Sequence, residues 1–563
     1  MVWSQVYDPL GNIWLSALMA AIPVVVMLGC IAFAHMKAHY AAGLGLASAL
    51  LVAIFGFGMP AGLAWNAAGY GAAFGLLPIG WIVLNIIFLH QLTIENGSFK
   101  VLQDSLTGIT DDRRIQLLLI AFCFGAFFEG AAGFGTPVAV TAAIMIGLGF
   151  SPLAASGLCL IANTAPVAYG ALGTPVIALA AVTGIDLMQL SGMIGRQLPL
   201  FSLLVPFWLI WAFAGFRGML QIWPAILVAG LSFAVPQYLV SNFHGPWLVD
   251  VVAAIVSMVS LILFLKVWQP KKIWTSTSLK GREAESGSAD LSGAQSHQSD
   301  AGATMFQKHD RRALVMAWMP WVILTALVFI WGVPEFKKWV DGISVFKIPF
   351  TGLHNLVEKV APVVAKPHKE AAIYTLNWLS ATGTGIFIAS ILAGLLMKYR
   401  LLDLFRIYFR TIWLVRYSLL TIVLMLALGY LTRFSGTDAS LGLVFAHTGM
   451  MYPIFGTLLG WLGVALTGSD TAANVLFGGL QKTTAEQLGL SPVLMAAANS
   501  SGGVMGKMID AQSIVVASTA TRWYGHESEI LRFVFFHSLA LALLVGLFVF
   551  LQAYVYPFTL LVY

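Results

Sequence analysis

One carboxylate inside a long uncharged stretch limits what this chain can fold into. Between Ile115 and Gly195 the sequence has no Lys or Arg, and Glu129 and Asp186 are its only acidic residues. Directly after Glu129, the apolar sequence is interrupted by a Gly-rich segment, 130–137. A charged side chain at the centre of a bilayer costs about 2.5 to 3.5 kcal/mol on insertion scales, so such a residue indicates a functional site.

The composition indicates a membrane protein. Of 563 residues, 59% are hydrophobic and only 10% are charged, which lies outside the range of soluble domains. Many windows reach the roughly 20 apolar residues that a helix needs to cross the hydrocarbon core. We therefore predict an all-α polytopic membrane protein with about 12 to 14 transmembrane segments, re-entrant hairpins and broken helices included. The net charge of +6 is attributed to cytoplasmic loops and not to nucleic-acid binding.

A polar segment, 268–312, contains a tract rich in Ser, Gly, Gln and Asp and predicts a cytoplasmic linker. It separates a first transmembrane half, 1–267, from a second half, 313–563. Residues 1–36 lack Lys and Arg, so the positive-inside rule predicts a periplasmic amino terminus.

Two interrupted units are predicted in the first half. The apolar arms on either side of the Gly-rich break are too short to cross a bilayer, which favours a re-entrant hairpin near 115–150. The next segment, 153–181, contains Asn163-Thr164-Ala165-Pro166 and predicts a broken helix.

The second half repeats this order weakly. The motif Leu-Gly-Phe-Ser-Pro at 148–152 recurs as Leu-Gly-Leu-Ser-Pro at 488–492. We therefore predict a second hairpin near 440–482 and a second broken helix over 492–520, where Asn499-Ser500 matches Asn163-Thr164. The two units have opposite predicted orientations, as in inverted-repeat secondary transporters, although this scheme places Lys482 outside.

Broken helices suit the binding of a small organic anion, because their amino termini present unpaired N–H groups and a positive dipole end. Short polar side chains near the breaks could hold a carboxylate and a neighbouring hydroxyl, and Lys507 could supply a counter-charge. The substrate-binding candidates are Gly133, Thr136, Asn163, Thr164, Ser469, Asn499, Ser500, Ser501 and Lys507. The alternative is that these residues only satisfy freed backbone groups and allow close packing.

Uptake of an anion against an inside-negative potential costs about 2.3 kcal/mol per charge per 100 mV, so a cation must accompany it. Glu129 and Asp470 are the proton-carrying candidates, since a desolvated carboxyl can bind and release a proton. Structural pairing with Lys507 remains an alternative. Sodium coupling, a passive anion channel and another small-anion transporter also stay open. A membrane-embedded enzyme is disfavoured by the lack of a His-Glu-x-x-His site and of a nucleophile and base pair, and no metal or other cofactor is expected.

Several motifs resemble the bacterial L-lactate permease family, which includes glycolate permeases. The matching stretches are 122–127, 129–135, 157–161, 163–168, 195–199, 466–471, 502–504, 506–509 and the opening segment 7–15. The resemblance runs nearly end to end, although Thr136 and Thr174 depart from the family's pattern.

The resemblance implies a multi-pass symporter of the bacterial inner membrane that takes up L-lactate, D-lactate or glycolate with a proton. It also implies a hairpin-bearing domain that moves against a scaffold. The lipid bilayer is the expected environment. The oligomeric state is left open, with a homodimer as the candidate.

Overall fold

A computed structural model describes residues 2–32, 36–107, 109–131, 136–277, 279, 310–364, 366–523 and 526–563. Helices dominate these residues, and the prediction of an all-α polytopic membrane protein is confirmed. Ten described helices are long and apolar enough to cross a membrane, or eleven if the bent pair 152–162 and 167–183 counts as one span. Shorter apolar helices at Ile13–Met27, Pro137–Gly147 and Thr382–Leu396 make this compatible with the predicted number.

The first half opens with a group of helices that flank the site. They are α1 (Ile13–Ala32), α2 (Ala38–Leu51), α3 (Ala61–Phe74), α4 (Trp81–Glu95) and α5 (Ser98–Thr107), with π-helical turns at Val52–Gly56 and Gly75–Gly80. The interrupted units follow as α6 (Arg113–Leu117), a π-helical turn (Leu118–Phe124), α7 (Gly125–Ala131), α8 (Thr136–Gly147), α9 (Pro152–Ala162), a 3-10 turn (Val167–Tyr169) and α10 (Gly170–Thr183). Three long helices complete this half, namely α11 (Leu187–Gln221), α12 (Trp223–Phe243) and α13 (Val249–Val267).

The second half has the same kind of order. It starts with α14 (Arg311–Gly332), α15 (Pro334–Ser344), α16 (Thr382–Leu396) and α17 (Leu401–Ser435). Its interrupted units are α18 (Thr437–Phe445), a 3-10 turn (Ala446–Met451), α19 (Tyr452–Thr467), α20 (Asp470–Leu488), α21 (Pro492–Gly506), a 3-10 turn (Lys507–Ile509) and α22 (Ala511–Ala520). The last helix is α23 (Glu527–Tyr554), followed by a 3-10 turn at Phe558–Leu561.

The repeated Leu-Gly-x-Ser-Pro motif forms the same local structure in both halves. Gly149 and Gly489 have φ of +87° and +68°, a conformation that glycine adopts without strain. Ser151 then caps α9 by accepting from Ala154 N, and Ser491 caps α21 by accepting from Leu494 N. The proline at the first helical position fits because it has no N–H to satisfy.

The segment from α6 to α7 is shielded from lipid. Residues 114–131 are all buried inside the protein. Irregular backbone at membrane depth is tolerated where it faces protein or a wet cavity, so this burial suits the π-helical turn at Leu118–Phe124.

Close helix packing joins α19 to α21. A Cβ at Gly460 would lie 2.1 Å from the carbonyl oxygen of Asn499, and one at Gly502 would lie 2.2 Å from that of Thr457. At Gly506 it would meet the Trp461 carbonyl oxygen at 2.3 Å. Small residues at such contacts let helix backbones approach closely. We call this contact between α19 and α21 the glycine seam.

A small β-layer lies outside the helical body. Strand β1 (Trp3–Ser4) pairs in parallel with β3 (Val357–Lys359), which pairs antiparallel with β4 (His368–Lys369). Strands β2 (Phe346–Pro349) and β5 (Ile373–Leu376) form a separate antiparallel pair. The amino terminus and the segment between α15 and α16 therefore lie on the same side of the protein.

An ion pair attaches this layer to α17. Glu370 contacts Lys359 Nζ and Arg433 Nη2, both at 3.0 Å. Burial disfavours the ionised form of Glu370, but the two cations and their hydrogen bonds outweigh it and lower the pKa to about 2. The folded pKa lies below the model-peptide value of about 4.3, so ionised Glu370 stabilises the fold at neutral pH and this contribution is lost as the pH falls from about 4 to about 2.

We expect Glu370→Gln to lower the unfolding temperature of the detergent-solubilised protein at pH 7, because both cations lose their partner. The difference from the parent protein should be smaller at pH 3 than at pH 7. Thermal unfolding followed by fluorescence at both pH values tests this, with the exposed Glu335→Gln as control. If Glu370→Gln lowered the unfolding temperature equally at pH 3 and pH 7, the proposed role of the ionised Glu370 would be contradicted.

Candidate functional site

The chain breaks meet around one cavity of about 330 Å³. One wall comes from the interrupted units, through α7, α10, α20 and the turn after α21, and the opposite wall comes from α2, α4 and α17. The lining side chains that can carry charge or hydrogen bonds are His39, Glu129, Thr174, Tyr417, Ser418, Thr421, Thr467, Ser469, Asp470, Thr471, Lys507 and Ser513. This is the candidate site.

Backbone strain marks the first broken helix where it reaches the cavity. Ala171, Leu172 and Gly173 have φ of +47°, +56° and +80°. This conformation costs L-residues about 1 to 2 kcal/mol each, and such strain concentrates at functional sites. Gly173 packs against Pro246, where a Cβ would lie 2.8 Å from the proline ring. Regular helix resumes near Thr174, so the amino-terminal end of α10 faces the cavity.

The break between α19 and α20 lies beside the same cavity. Gly468 ends α19 with φ of +71°, and Ser469 caps α20 by accepting from Ala472 N. Ser469, Asp470 and Thr471 all line the cavity. Two helix amino termini, from α10 and α20, therefore bring positive dipole ends to one place.

Glu129 reaches the cavity from α7. Its Oε2 accepts a hydrogen bond from Asn163 Nδ2 at 3.1 Å. A Cβ at Gly170 would lie 2.8 Å from Glu129 Oε1, so the missing side chain at this position makes room for the carboxyl group. Glu129 is 5% exposed.

Asp470 ends a chain of buried hydrogen bonds. Its Oδ2 accepts from Ser500 Oγ at 2.5 Å and from Asn474 Nδ2 at 3.1 Å. Asn499 donates to Asn474 Oδ1 at 2.9 Å, and Gln481 donates to Asn499 Oδ1 at 3.0 Å. Among the described residues, Asp470 Oδ1 has no hydrogen-bond partner. The network fixes the orientation of the carboxyl group and leaves one oxygen unpaired.

Lys507 connects two of the breaks. Its Nζ donates to the carbonyl of Gly468 at 2.6 Å and lies 3.3 Å from Asp510 Oδ2. Asp510 also caps α22 by accepting from Ser513 N at 2.8 Å. Since Lys507 also lines the cavity, its positive charge faces the same space as Glu129, Asp470 and the two helix ends.

Some of the predicted site residues line the cavity, and others lie behind its wall. Glu129, Ser469, Asp470 and Lys507 line the cavity, whereas Asn163, Thr164, Asn499, Ser500 and Ser501 do not. Asn163, Asn499 and Ser500 belong to the hydrogen-bonded groups behind the carboxylates, as given above. Thr164 donates to the carbonyl of Ile161, and Ser501 donates to Gln197 Oε1. Gly133 and the side chain of Thr136 lie outside the described residues.

The wall formed by α2 and α17 was not predicted from the sequence. Tyr417, Thr421 and Met425 line the cavity from α17, and their spacing of four places them on one helix face. His39 stacks on Tyr417 with ring centroids 4.6 Å apart. The spacing of polar residues along α17 was the available signal.

Comparison with known proteins identifies the family. A family model described as L-lactate permease matches residues 16–556. The chain belongs to the L-lactate permease family. It is 46% identical to the glycolate permease GlcA of Escherichia coli strain K12, with 99% of each chain covered. It is 44% identical to the L-lactate permease of Bacillus subtilis strain 168, again with 99% of each covered, and 42% identical to that of Salmonella typhimurium, with 98% of each covered. This member of the L-lactate permease family is therefore a multi-pass membrane transport protein.

Proposed function

We propose that this chain takes up L-lactate, D-lactate and glycolate across the bacterial inner membrane by proton symport. The observation that carries the proposal is the convergence of Lys507, two carboxyl groups and the amino termini of α10 and α20 on one cavity. The names of the relatives, L-lactate permease and glycolate permease, supply the substrate class.

In the proposed complex, Lys507 and the helix amino termini hold the substrate carboxylate. The hydroxyls of Ser469 and Thr174 lie on the cavity wall and are assigned to the 2-hydroxyl group. Gly133 and Thr136 at the first hairpin tip keep their predicted binding roles. Asn163, Thr164, Asn499, Ser500 and Ser501 support the binding surface from behind.

Charge balance supports proton coupling. An anion entering beside ionised Glu129 and Asp470 is repelled by two negative charges, while the positive charge of Lys507 is shared with Asp510. Protonation of either carboxyl removes one repulsion, so proton and anion each favour the binding of the other. This reciprocal coupling is what a symporter needs.

The orientation is proposed from α17. Arg400, Arg406, Arg410 and Arg416 gather near its amino-terminal end, which the positive-inside rule assigns to the cytoplasm. The other end carries Arg433, which holds the β-layer through Glu370. The β-layer and the amino terminus are thereby assigned to the periplasm.

Uptake of radiolabelled lactate into proteoliposomes tests this function. We expect accumulation when the outside is acidified, inhibition by excess unlabelled L-lactate, D-lactate or glycolate, and little inhibition by dicarboxylates. Replacing sodium by potassium should change nothing. Accumulation that followed a sodium gradient and ignored the proton gradient would overturn proton symport in favour of sodium coupling, and currents without accumulation would indicate a channel.

A further inference from the structure

A second carboxyl group lies behind Glu129. Asp250 stands in the first turn of α13 and is 2% exposed. Neither of its carboxyl oxygens has a hydrogen-bond partner among the described residues. Asp250 does not line the cavity, whereas Glu129 does. A buried, unpaired carboxyl group with no part in the binding surface requires an explanation.

The contact between α13 and α7 places Asp250 against Gly130, the residue that follows Glu129. A Cβ at Gly130 would lie 2.7 Å from Asp250 Cβ and 3.0 Å from Val251 N. Glycine beside Glu129 therefore lets α7 pack directly on the turn that carries Asp250. Glu129 acts electrostatically on Asp250.

No cation faces Asp250 from the described elements packed on α13. From α7 it faces Glu129, and the phenol of Tyr169 is the other titratable group that interacts with it. The Tyr169 hydroxyl donates to the carbonyl of Ser191 at 2.7 Å. Helices α10 and α12 and the π-helical turn at Leu118–Phe124 contain no charged residue. The charge next to Asp250 therefore depends on Glu129, which itself interacts with Lys507 and Asp510.

The cost of burial and the helix dipole have opposite effects on the ionised form of Asp250. Burial of an ionised carboxylate without a donor costs several kcal/mol. The helix dipole stabilises a carboxylate in the first turn by about 0.3 to 1 kcal/mol, or by up to about 2 kcal/mol where the carboxylate is partly buried. Two neighbouring carboxyl groups in such a place do not both ionise readily, so they titrate as a pair.

We propose that Asp250 and Glu129 hold the coupled proton together, with Asp250 as the proton site on the side of Glu129 that faces away from the cavity. The proton moves from the Asp250 carboxylic acid to the Glu129 carboxylate, and the pair keeps a charge of −1 during the transfer. Glu129 then exchanges this proton with the cavity. This inference rests on the proposed proton symport and adds a residue to it.

The test is the pH profile of lactate uptake by Asp250→Asn in proteoliposomes. Asparagine removes the neighbouring negative charge, so Glu129 releases its proton at lower pH. We expect the pH of half-maximal uptake to shift down by about one unit or more, the size of effect that a nearby charge produces. Asp250→Glu should restore the parent profile. The matched control is Asp186→Asn, at the exposed cap of α11, which should leave the profile unchanged.

A uniform loss of rate at every pH, with the midpoint unmoved, would show a structural role and overturn the inference. So would failure of Asp250→Asn to assemble in the membrane, because asparagine imitates the protonated acid that must be a working state. Lactate uptake by the parent protein in the same vesicles distinguishes failure of the proton-symport proposal from failure of the Asp250 proposal. If it ignores the proton gradient, proton symport fails. If it responds and the Asp250→Asn midpoint stays in place, only the role of Asp250 fails.

Discussion

Glu129→Gln is expected to abolish proton-driven accumulation of lactate, at least tenfold below the parent protein, while exchange of lactate across the membrane persists. Glutamine has nearly the same shape and can still accept the hydrogen bond from Asn163. It cannot exchange a proton with the cavity, and Asp250 cannot replace it because Asp250 does not line the cavity. Accumulation and counterflow of radiolabelled lactate, measured in the same vesicles, separate the two activities.

The matched control is Glu335→Gln, the same substitution at an exposed residue in the first turn of α15. Normal protein levels in the membrane are required of both variants. Undiminished accumulation by Glu129→Gln would move the proton role to Asp470 or to another group, and loss of both accumulation and counterflow would indicate a binding role for Glu129.

Lys507→Ala is expected to weaken lactate binding by about 100-fold, equivalent to about 2.7 kcal/mol. Removal of a buried charge that pairs with a ligand charge costs about 2 to 5 kcal/mol, and Lys507 is the lysine on the cavity wall. Equilibrium binding of radiolabelled lactate to the detergent-solubilised protein measures the change.

Lys482 offers a matched control for this substitution. It is also largely buried and also donates to a backbone carbonyl near a helix end, that of Thr183 at 2.9 Å, but it does not line the cavity. Lys482→Ala should change lactate affinity less than threefold. Equal losses in the two variants would mean that lysine-to-carbonyl contacts, and not a substrate charge, account for the effect.

Motifs with a local physical cause were readable from the sequence. The Leu-Gly-x-Ser-Pro pairs specify a turn, a cap and a helix start within five residues, and the structure has all three in both halves. Glu129 and Asp470 were identifiable because charge is costly in an apolar segment, and both reach the cavity.

Features that depend on packing between distant segments were not readable. The match of Asn499-Ser500 to Asn163-Thr164 holds in sequence, but α9 ends at Ala162 whereas α21 continues to Gly506. Gly502 and Gly503 do not break the second helix. They instead allow close approach of Thr457 and Asp470. The local sequence does not distinguish a glycine that breaks a helix from one that lets a neighbouring helix approach closely. The wall from α17 and the contact of Asp250 with α7 likewise require the three-dimensional arrangement.

The glycine seam has a consequence for how the substrate is released. Backbones in such tight contact cannot separate through small steps without losing most of their packing, so α19 cannot swing away from α21 like a flap. We therefore expect release to move α19 and α21 together, with sliding along their boundary with α17. A crosslink across the seam should then be harmless to turnover, whereas one bridging α10 and α17 should arrest it.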